Sequence, residues 1–137
     1  MISVLIPTHR PHFLRETVAS VLDQTCSDFE IVVVPNQGAE VAGLLPDDSR
    51  IKVVPYEGSN RIGAIKRFAF SQGEGDLLLE LDHDDLLAPD ALAKIVETQE
   101  RTKASFIYSN FAIQREETGK PVTFGPYWGW KSRPAKF

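Results

Sequence analysis

Short continuous runs of apolar residues, rather than a strict alternation of apolar and polar positions, are the main pattern along this chain. Runs of this length are typical of strands that are buried on both faces, as in parallel sheets. They predict strands at residues 2–6, 31–34 and 77–81, and two weaker strands at residues 51–54 and 106–108.

Helical spacing of apolar residues separates these predicted strands. The first helix follows the first strand, the second is predicted over about residues 61–72, and the third begins at Pro89, a residue favoured in the first helical turn. The positions expected to face the core are Leu14, Val18, Val21 and Leu22 in the first helix, Ile62, Ile65 and Ala69 in the second, and Leu92, Ile95 and Val96 in the third.

Alternation of strands and helices predicts an α/β fold with a mostly parallel, Rossmann-like sheet and right-handed crossovers. The length of 137 residues predicts one domain over 1–137. From about residue 119 the sequence is rich in Gly, Pro, aromatic and basic residues and is expected to be irregular. We expect the chain to be a fragment, or its tail to dock elsewhere.

Composition narrows the class of protein further. A net charge of −4 argues against a protein that mainly coats nucleic acid or an anionic membrane. A single cysteine excludes an internal disulfide and a multi-cysteine zinc site. The apolar run before Pro7 is too short for a membrane span or a signal-peptide core. We therefore expect a soluble, cytoplasmic protein without a transmembrane segment in this chain.

Polar residues follow three of the predicted strands at the point where each strand ends. Ligands of open parallel sheets bind outside the carboxyl ends of the strands, so these residues are expected to meet at one edge. They are Pro7, Thr8 and Arg10 after the first strand, Asn36 after the second, and Asp82, Asp84 and Asp85 after the long apolar run.

The acidic cluster is the most informative of these segments. Three crowded carboxylates raise each other's pKa unless a cation relieves the repulsion, and Mg²⁺ or Mn²⁺ with a bound diphosphate would do so. The alternative is an acidic turn without a ligand. Lys66 and Arg67 are candidates for phosphate contacts, or else lie on a solvated helix face. Alternation along the strand predicts that His83 points away from its neighbours.

Four motifs in order resemble family 2 glycosyltransferases of the GT-A fold, over roughly residues 1–115. They are SVLIPTHRP, VLDQT followed by FEIVVV, IGAIKRFAFSQGEGD and LELDHDDLLAPDAL. The resemblance implies a metal-dependent, inverting enzyme that uses Mn²⁺ or Mg²⁺. Its donor would be a nucleotide sugar, a UDP-sugar in the first instance, and its acceptor a hydroxyl group of a glycan in polysaccharide or glycoconjugate synthesis.

The same resemblance implies a role for each matching residue. Asp82 and Asp84 would form the D-x-D motif, with Asp84 on the metal and Asp82 on the ribose or the metal. Asp85 would be an additional ligand or would support one. The nucleotide would lie against Pro7, Thr8 and Arg10, and Lys66 or Arg67 would lie near the base and the phosphates.

Two departures from the family pattern leave alternatives open. Asn36 stands where an acidic residue commonly binds the base, and its amide could still bond a base edge. No convincing general base follows the acidic cluster, so the acceptor side is expected to be truncated; the acidic residues considered are Glu97, Glu100, Glu116 and Glu117. Tyr127, Trp128 and Trp130 would stack on a sugar or belong to an interface. The alternatives are a non-catalytic or incomplete nucleotide-sugar-binding module, and a metal phosphohydrolase.

Overall fold

The computed structural model describes residues 1–109, 111, 113–114 and 121–122. The chain forms two compact units, Met1–Ala104 and Ser105–Phe137. In the described residues no helix is both long and apolar enough to cross a membrane. The prediction of one domain over the whole chain stays a prediction.

A parallel four-stranded sheet forms the centre of the first unit. Its strands are β1 (Ile2–Thr8), β2 (Phe29–Pro35), β3 (Ile51–Val53) and β4 (Leu77–Glu80), in the order β3-β2-β1-β4. All three pairings are parallel, and in the register of β1 with β4 Leu5 lies opposite Glu80. The carboxyl ends of the strands therefore meet at one edge, as the sequence predicts.

Helices cover both faces of this sheet. They are α1 (Leu14–Leu22), which follows a 3₁₀ turn at Pro11–Phe13, α2 (Ile62–Phe70) and α3 (Ala91–Thr102). Successive residues of β1 point to opposite faces, so Val4 packs in the core with α1 and α3, whereas Leu5 packs with Ala69 of α2. This two-sided burial explains the continuous apolar runs.

Three details of the predicted pattern are wrong. Ile62 is 65% exposed because it opens the first turn of α2, beyond the reach of the core. Leu78 is exposed because, among the described residues, β4 has only β1 beside it and lies at the sheet edge. Residues 106–108 form no strand, since this short run has no pairing partner in the described part of the chain.

The second unit contains a short antiparallel pair of strands. Strand β5 (Ile113–Gln114) pairs with β6 (Pro121–Val122), which begins inside the segment predicted to be irregular. The rings of Phe106 and Tyr108 are stacked, with centroids 6.4 Å apart. Tyr127, Trp128 and Trp130 lie outside the described residues.

Candidate functional site

A cavity of about 470 Å³ opens at the carboxyl edge of the sheet. Residues from the ends of three strands and from α2 line it, among them Pro7, Asn36, Lys66, Asp82, His83 and Asp84. The structure thus brings together five of the predicted site residues. Four others do not line this cavity: Thr8, Arg10, Arg67 and Asp85.

The acidic cluster forms a tight turn directly after β4. The backbone N–H of Asp85 donates to the carbonyl oxygen of Asp82 over 3.0 Å, which closes a four-residue turn. Because β4 ends at Glu80, strand alternation no longer governs the next residues. The prediction that His83 points away from its neighbours is therefore wrong, since it lines the cavity together with Asp82 and Asp84.

The rings of His83 and His9 meet edge to face in this cavity, with centroids 5.1 Å apart. His9 follows β1 and His83 follows β4, so adjacent parallel strands deliver the two imidazoles to one wall. The sequence distance between the two histidines concealed this contact.

Lys66 neutralises part of the acidic turn. Its ammonium group forms a salt bridge with Glu80 and lies 3.7 Å from Oδ1 of Asp82. The hydrogen bond to Glu80 is the main reason why the pKa of Lys66 is raised, and partial burial opposes the rise. Lys66 is half-buried, whereas the neighbouring Arg67 is exposed and lies outside the cavity. Of the two predicted basic residues, the structure brings Lys66 to the acidic turn.

The carboxyl group of Asp85 is partly desolvated and lies near other acidic side chains. Desolvation of its carboxyl group raises the pKa, although the residue as a whole is exposed, and the charges of Asp82 and Asp84 raise it further. The Asp84 carboxylate has no hydrogen bond or salt bridge to any residue that the structure describes. Within the described part of the chain, the carboxylates of Asp84 and Asp85 thus form no salt bridge.

Asn36 holds two strand ends together. Its side-chain nitrogen donates to the carbonyl oxygens of Thr8 and Val34 over 3.0 and 3.3 Å, and its Oδ1 accepts from Gln37 over 3.3 Å. Both acceptors are carbonyl groups, so the NH₂ group must face them. Asn36 is 4% exposed, which leaves one lone pair of Oδ1 for a ligand.

The loop that follows Asn36 is sharply turned. Gln37 and Gly38 have φ values of 53° and 77°, and the N–H of Ala39 donates to the carbonyl of Asn36 over 3.1 Å. Positive φ at both central residues is the geometry of a type I′ turn, and it costs a residue with a Cβ about 1–2 kcal/mol. The strained residue, Gln37, lines the cavity.

The β1 end contributes one buried polar atom without a partner. Thr8 is fully buried, and its hydroxyl oxygen has no hydrogen-bond partner in the described part of the chain. Arg10, two residues on, is exposed at the start of the 3₁₀ turn.

A larger cavity of about 620 Å³ lies on the other side of Asn36. It is lined by residues 38–43, Leu45 and Tyr56, among others, and its charged lining residues are Glu40 and Glu57. Because no lysine or arginine among the described residues lines it, this cavity lacks the cation that a diphosphate requires.

The donor set at the acidic turn fits a hard divalent cation that shares its shell with phosphates. In the described residues, no group of three or more His, Cys, Asp or Glu side chains is arranged to hold a metal ion. Mg²⁺ typically uses one or two carboxylates together with substrate phosphates. Asp82 and Asp84 both line the cavity and supply two carboxylates, which matches that requirement.

No general base emerges from the described residues. Glu97 and Glu100 are exposed on α3, in agreement with the expectation of a solvated helix face. Glu116 and Glu117 lie outside the described residues. The carboxylates that line the cavity in the described part of the chain are those of Asp82 and Asp84.

Sequence reasoning missed a set of polar contacts from α1 to the acidic loop. Thr17, Ser20 and Gln24 lie at helical spacing and bond the backbone of residues 83–92. The signal was present, because polar residues three and four positions apart share one face of a helix. Glu80, the partner of Lys66, gave no comparable signal.

A family model of the glycosyl transferase family 2 matches residues 3–135. The chain belongs to glycosyltransferase family 2. This membership leaves no support for the metal phosphohydrolase alternative, and it confirms the family that the four motifs indicated.

Curated relatives of this family 2 chain include named glycosyltransferases. A UDP-Glc:α-D-GlcNAc-diphosphoundecaprenol β-1,3-glucosyltransferase, WfgD, from Escherichia coli is 25% identical over 117 residues, which is 82% of this chain and 46% of that protein. The putative glycosyltransferase EpsH from Bacillus subtilis is 24% identical over 127 residues, 88% of this chain and 36% of that protein. The family 2 chain thus spans less than half the length of these relatives.

Solved structures share its fold. The S. aureus protein TarS, residues 1–349 in complex with UDP-GlcNAc, superposes with a TM-score of 0.63 at 20% identity and covers 84% of this chain and 38% of that one. A complex of the same TarS segment with UDP gives the same TM-score. The likeness and the parallel sheet with its flanking helices confirm the predicted GT-A, Rossmann-like fold.

Proposed function

We propose that this family 2 chain is the donor-binding part of a metal-dependent, inverting glycosyltransferase. It would use a nucleotide sugar, and the acceptor would be a hydroxyl group of a glycan in polysaccharide or glycoconjugate synthesis, in the cytoplasm where such donors are available. The main support is one arrangement: Asp82, Asp84 and Lys66 line a single cavity at the carboxyl edge of a parallel sheet.

The acidic turn would hold the cation. Asp84, whose carboxylate has no salt bridge among the described residues, and Asp82 would bind Mn²⁺ or Mg²⁺, and Asp85 would support the turn. When bound, the metal supplies positive charge where negative charge grows on the departing nucleoside diphosphate. The aspartates of the turn would hold the metal at the end of β4.

Lys66 would provide the second positive charge. Its ammonium group has three donors, and in the structure it is directed at Glu80 and Asp82. A diphosphate in the cavity would lie within reach of the same group, and Lys66 would then bind a phosphate oxygen. Arg67 is the alternative cation, and its exposed position makes it the weaker candidate.

The nucleotide would lie between the ends of β1 and β2. Pro7 presents an apolar wall, and Asn36 fixes the backbone of Thr8 while one lone pair of its Oδ1 stays available. The unpartnered hydroxyl of Thr8 and the exposed Arg10 are further candidates for nucleotide contacts. UDP is the favoured nucleotide because WfgD is named for a UDP-glucose donor and TarS was crystallised with UDP and with UDP-GlcNAc.

A non-catalytic or incomplete donor-binding module is the second candidate. In the described residues the carboxylates that line the cavity are those of Asp82 and Asp84, and the metal would use both. No third carboxylate of the described cavity lining is then left to act as a base. An inverting transfer needs a base on the acceptor hydroxyl, and that base would then come from elsewhere.

Calorimetric titration with nucleoside diphosphates tests the proposal. UDP should bind more tightly with MnCl₂ than with EDTA, and Asp84→Asn should remove that difference. Loss of a residue that only supports a metal ligand typically lowers metal affinity about 10-fold or more. Because Asp84 would bind the metal itself, we expect Asp84→Asn to lower the affinity for UDP in the presence of manganese by at least that factor. Asp90→Asn is the matched control, since Asp90 pairs with Lys94 on α3 and does not line the cavity.

Two outcomes would count against the proposal. UDP affinity that ignores both manganese and Asp84→Asn would remove the metal assignment. Release of UDP from UDP-glucose or UDP-GlcNAc, assayed with and without glycan acceptors, separates a transferase from a binding module. Hydrolysis that never responds to an acceptor would contradict a transferase.

A further inference from the structure

Three polar side chains, two on α1 and one just beyond its C-terminus, all contact one loop. Thr17 is fully buried, Gln24 is 9% exposed and Ser20 is partly buried. They follow one another at intervals of three and four residues, so they lie along one side of α1 and its C-terminal extension. Each of them bonds the backbone of the segment that connects β4 to α3.

The contacts run in order from the acidic turn to the start of α3. The Thr17 hydroxyl donates to the carbonyl oxygen of His83 over 2.8 Å, and Ser20 Oγ accepts from the N–H of Leu87 over 3.1 Å. Gln24 contacts the far end of the loop. Its Nε2 donates to the carbonyl of Ala88 over 2.7 Å, and its Oε1 accepts from the N–H of Leu92 over 2.9 Å.

These bonds satisfy backbone groups that the loop cannot satisfy by itself. Residues 81–88 contain no strand or helix, so their N–H and C=O groups need other partners. At α3 the residue before the helix makes no side-chain cap, and the buried Leu92 N–H in the first turn is capped by Gln24 instead. The position of the acidic loop is therefore set by α1.

The Thr17 contact lies closest to the proposed chemistry. The carbonyl that it holds belongs to His83, the residue between Asp82 and Asp84. Fixing the His83–Asp84 peptide limits the backbone movement of the turn that carries both aspartates.

We propose that Thr17, Ser20 and Gln24 are positioning residues that hold the two aspartates in the orientation in which they bind a divalent cation and a diphosphate. This inference rests on the proposed function, because it concerns the same turn. Partners that orient metal ligands without touching the metal typically change metal affinity by about 10–100-fold. A purely structural role of the same hydrogen bonds would lower stability and leave the metal affinity unchanged.

Thr17→Val is the decisive substitution. Valine has the shape of threonine and lacks the hydroxyl, so the His83 carbonyl loses its donor while the packing of α1 is retained. Thr17→Ser restores the hydroxyl on a smaller side chain. The backbone bond from Thr25 N to Pro89 O, of 3.0 Å, remains in both variants and keeps the loop attached to α1.

Ser3→Ala is the matched control. Ser3 is fully buried at the opposite end of β1, where its hydroxyl donates to Glu30 over 2.6 Å and accepts from the N–H of Gly75 over 2.7 Å. Like Thr17, it connects segments that are distant in sequence, but it lies away from the acidic turn. Its removal reports the effect of losing a buried hydroxyl without any effect on the aspartates.

Two affinities are measured for each variant. The first is the affinity for Mn²⁺ in the presence of UDP, followed by electron paramagnetic resonance, and the second is the affinity for UDP in EDTA. Thr17→Val should weaken Mn²⁺ about 10-fold and leave UDP affinity in EDTA within about 2-fold, because only the metal ligands are reoriented. Thr17→Ser should recover most of the Mn²⁺ affinity, and Ser3→Ala should retain all of it. Gln24→Met should act in the same direction as Thr17→Val.

The outcomes separate this inference from the function on which it rests. Wild-type protein that shows no Mn²⁺-dependent UDP binding overturns the proposed function, and the inference with it. Wild-type binding that Thr17→Val leaves unchanged, with a lowered melting temperature, overturns the inference alone. Equal loss of Mn²⁺ affinity in Thr17→Val and Ser3→Ala also overturns it, because the effect would then follow general destabilisation.

Discussion

Lys66→Met replaces the ammonium group that faces the acidic turn with an uncharged side chain of similar length. At pH 7 we expect the variant to be less stable and to bind UDP more weakly, yet to bind Mn²⁺ alone more tightly. The reason is that Lys66 is the positive partner of Glu80 and Asp82, and a metal at Asp82 competes with it.

The distance of 3.7 Å from Lys66 to Asp82 bounds the magnitude. Two unit charges at that separation attract by about 1 kcal/mol in water and by about 4.5 kcal/mol at an effective dielectric constant near 20. The side chains of Lys66 and Asp82 are 31% and 57% exposed, so solvent screens their attraction considerably. The partial desolvation of Lys66 opposes this attraction as well. We therefore expect Lys66→Met to lower the free energy of unfolding by about 1–2 kcal/mol.

Lys94→Met is the control, because it removes another lysine that forms a salt bridge from a helix. Lys94 lies 2.6 Å from Asp90, with side chains 68% and 50% exposed, and such an i,i+4 pair contributes about 0.3–0.5 kcal/mol. Thermal unfolding should therefore shift by about 4–8 °C for Lys66→Met and by about 2 °C for Lys94→Met. The raised pKa of Lys66 means that its contribution is complete at pH 7 and is lost as pH rises above the ordinary value of 10.5 and through the folded-state pKa.

Two results would refute the reasoning about Lys66. Equal losses of stability in Lys66→Met and Lys94→Met would mean that the acidic turn does not depend on this cation. A lower affinity of Lys66→Met for Mn²⁺ without nucleotide would mean that Lys66 and the metal do not compete for Asp82.

Two further predictions concern pH. Asn36→Asp introduces the acidic residue that the family commonly has, but its carboxylate would face the carbonyls of Thr8 and Val34. We expect the free energy of unfolding to fall by about 1–3 kcal/mol at pH 7, and by less at pH 4, where protonation of the carboxylate restores a donor. Urea unfolding at both pH values tests this, and unchanged stability at pH 7 would contradict it. Asp48→Asn removes the carboxylate whose bonds to Arg50 lower its pKa to about 2. Above pH 3.8 the wild type should have a higher melting temperature than this variant, and the difference should shrink as pH falls towards 2. A difference that is the same at every pH would rule out the ion pair as its source.

The sheet could be predicted because its strands are buried on both faces. Residues of β1 and β2 are apolar almost without interruption, and such runs have few other stable arrangements in an α/β sequence. Leu78 and Ile62 could not be placed in the same way, since their exposure depends on which neighbours the sheet edge and the α2 start have in space. A periodic pattern carries no such information.

The site was predictable to the extent that topology alone brings strand ends together. That argument placed Asp82, Asp84 and Asn36 at one edge without any knowledge of side-chain partners. It failed for His83, because the position at which β4 ends decides where alternation stops. The hydrogen bond from the Asn36 amide to the carbonyl of Thr8 could not be predicted either, because a partner 28 residues away leaves no local pattern in the sequence.

The central position of β1 has a consequence for synthesis of the chain. Its two pairing partners are made at different times, since β2 follows closely whereas β4 begins at Leu77, about 75 residues after the start of β1. At ribosomal rates of about 5–20 residues per second, one edge of this apolar strand waits about 4–15 s for its partner. During that interval the incomplete sheet exposes an unpaired hydrophobic edge, so yield in the cell should depend on chaperone capacity more steeply than equilibrium stability suggests.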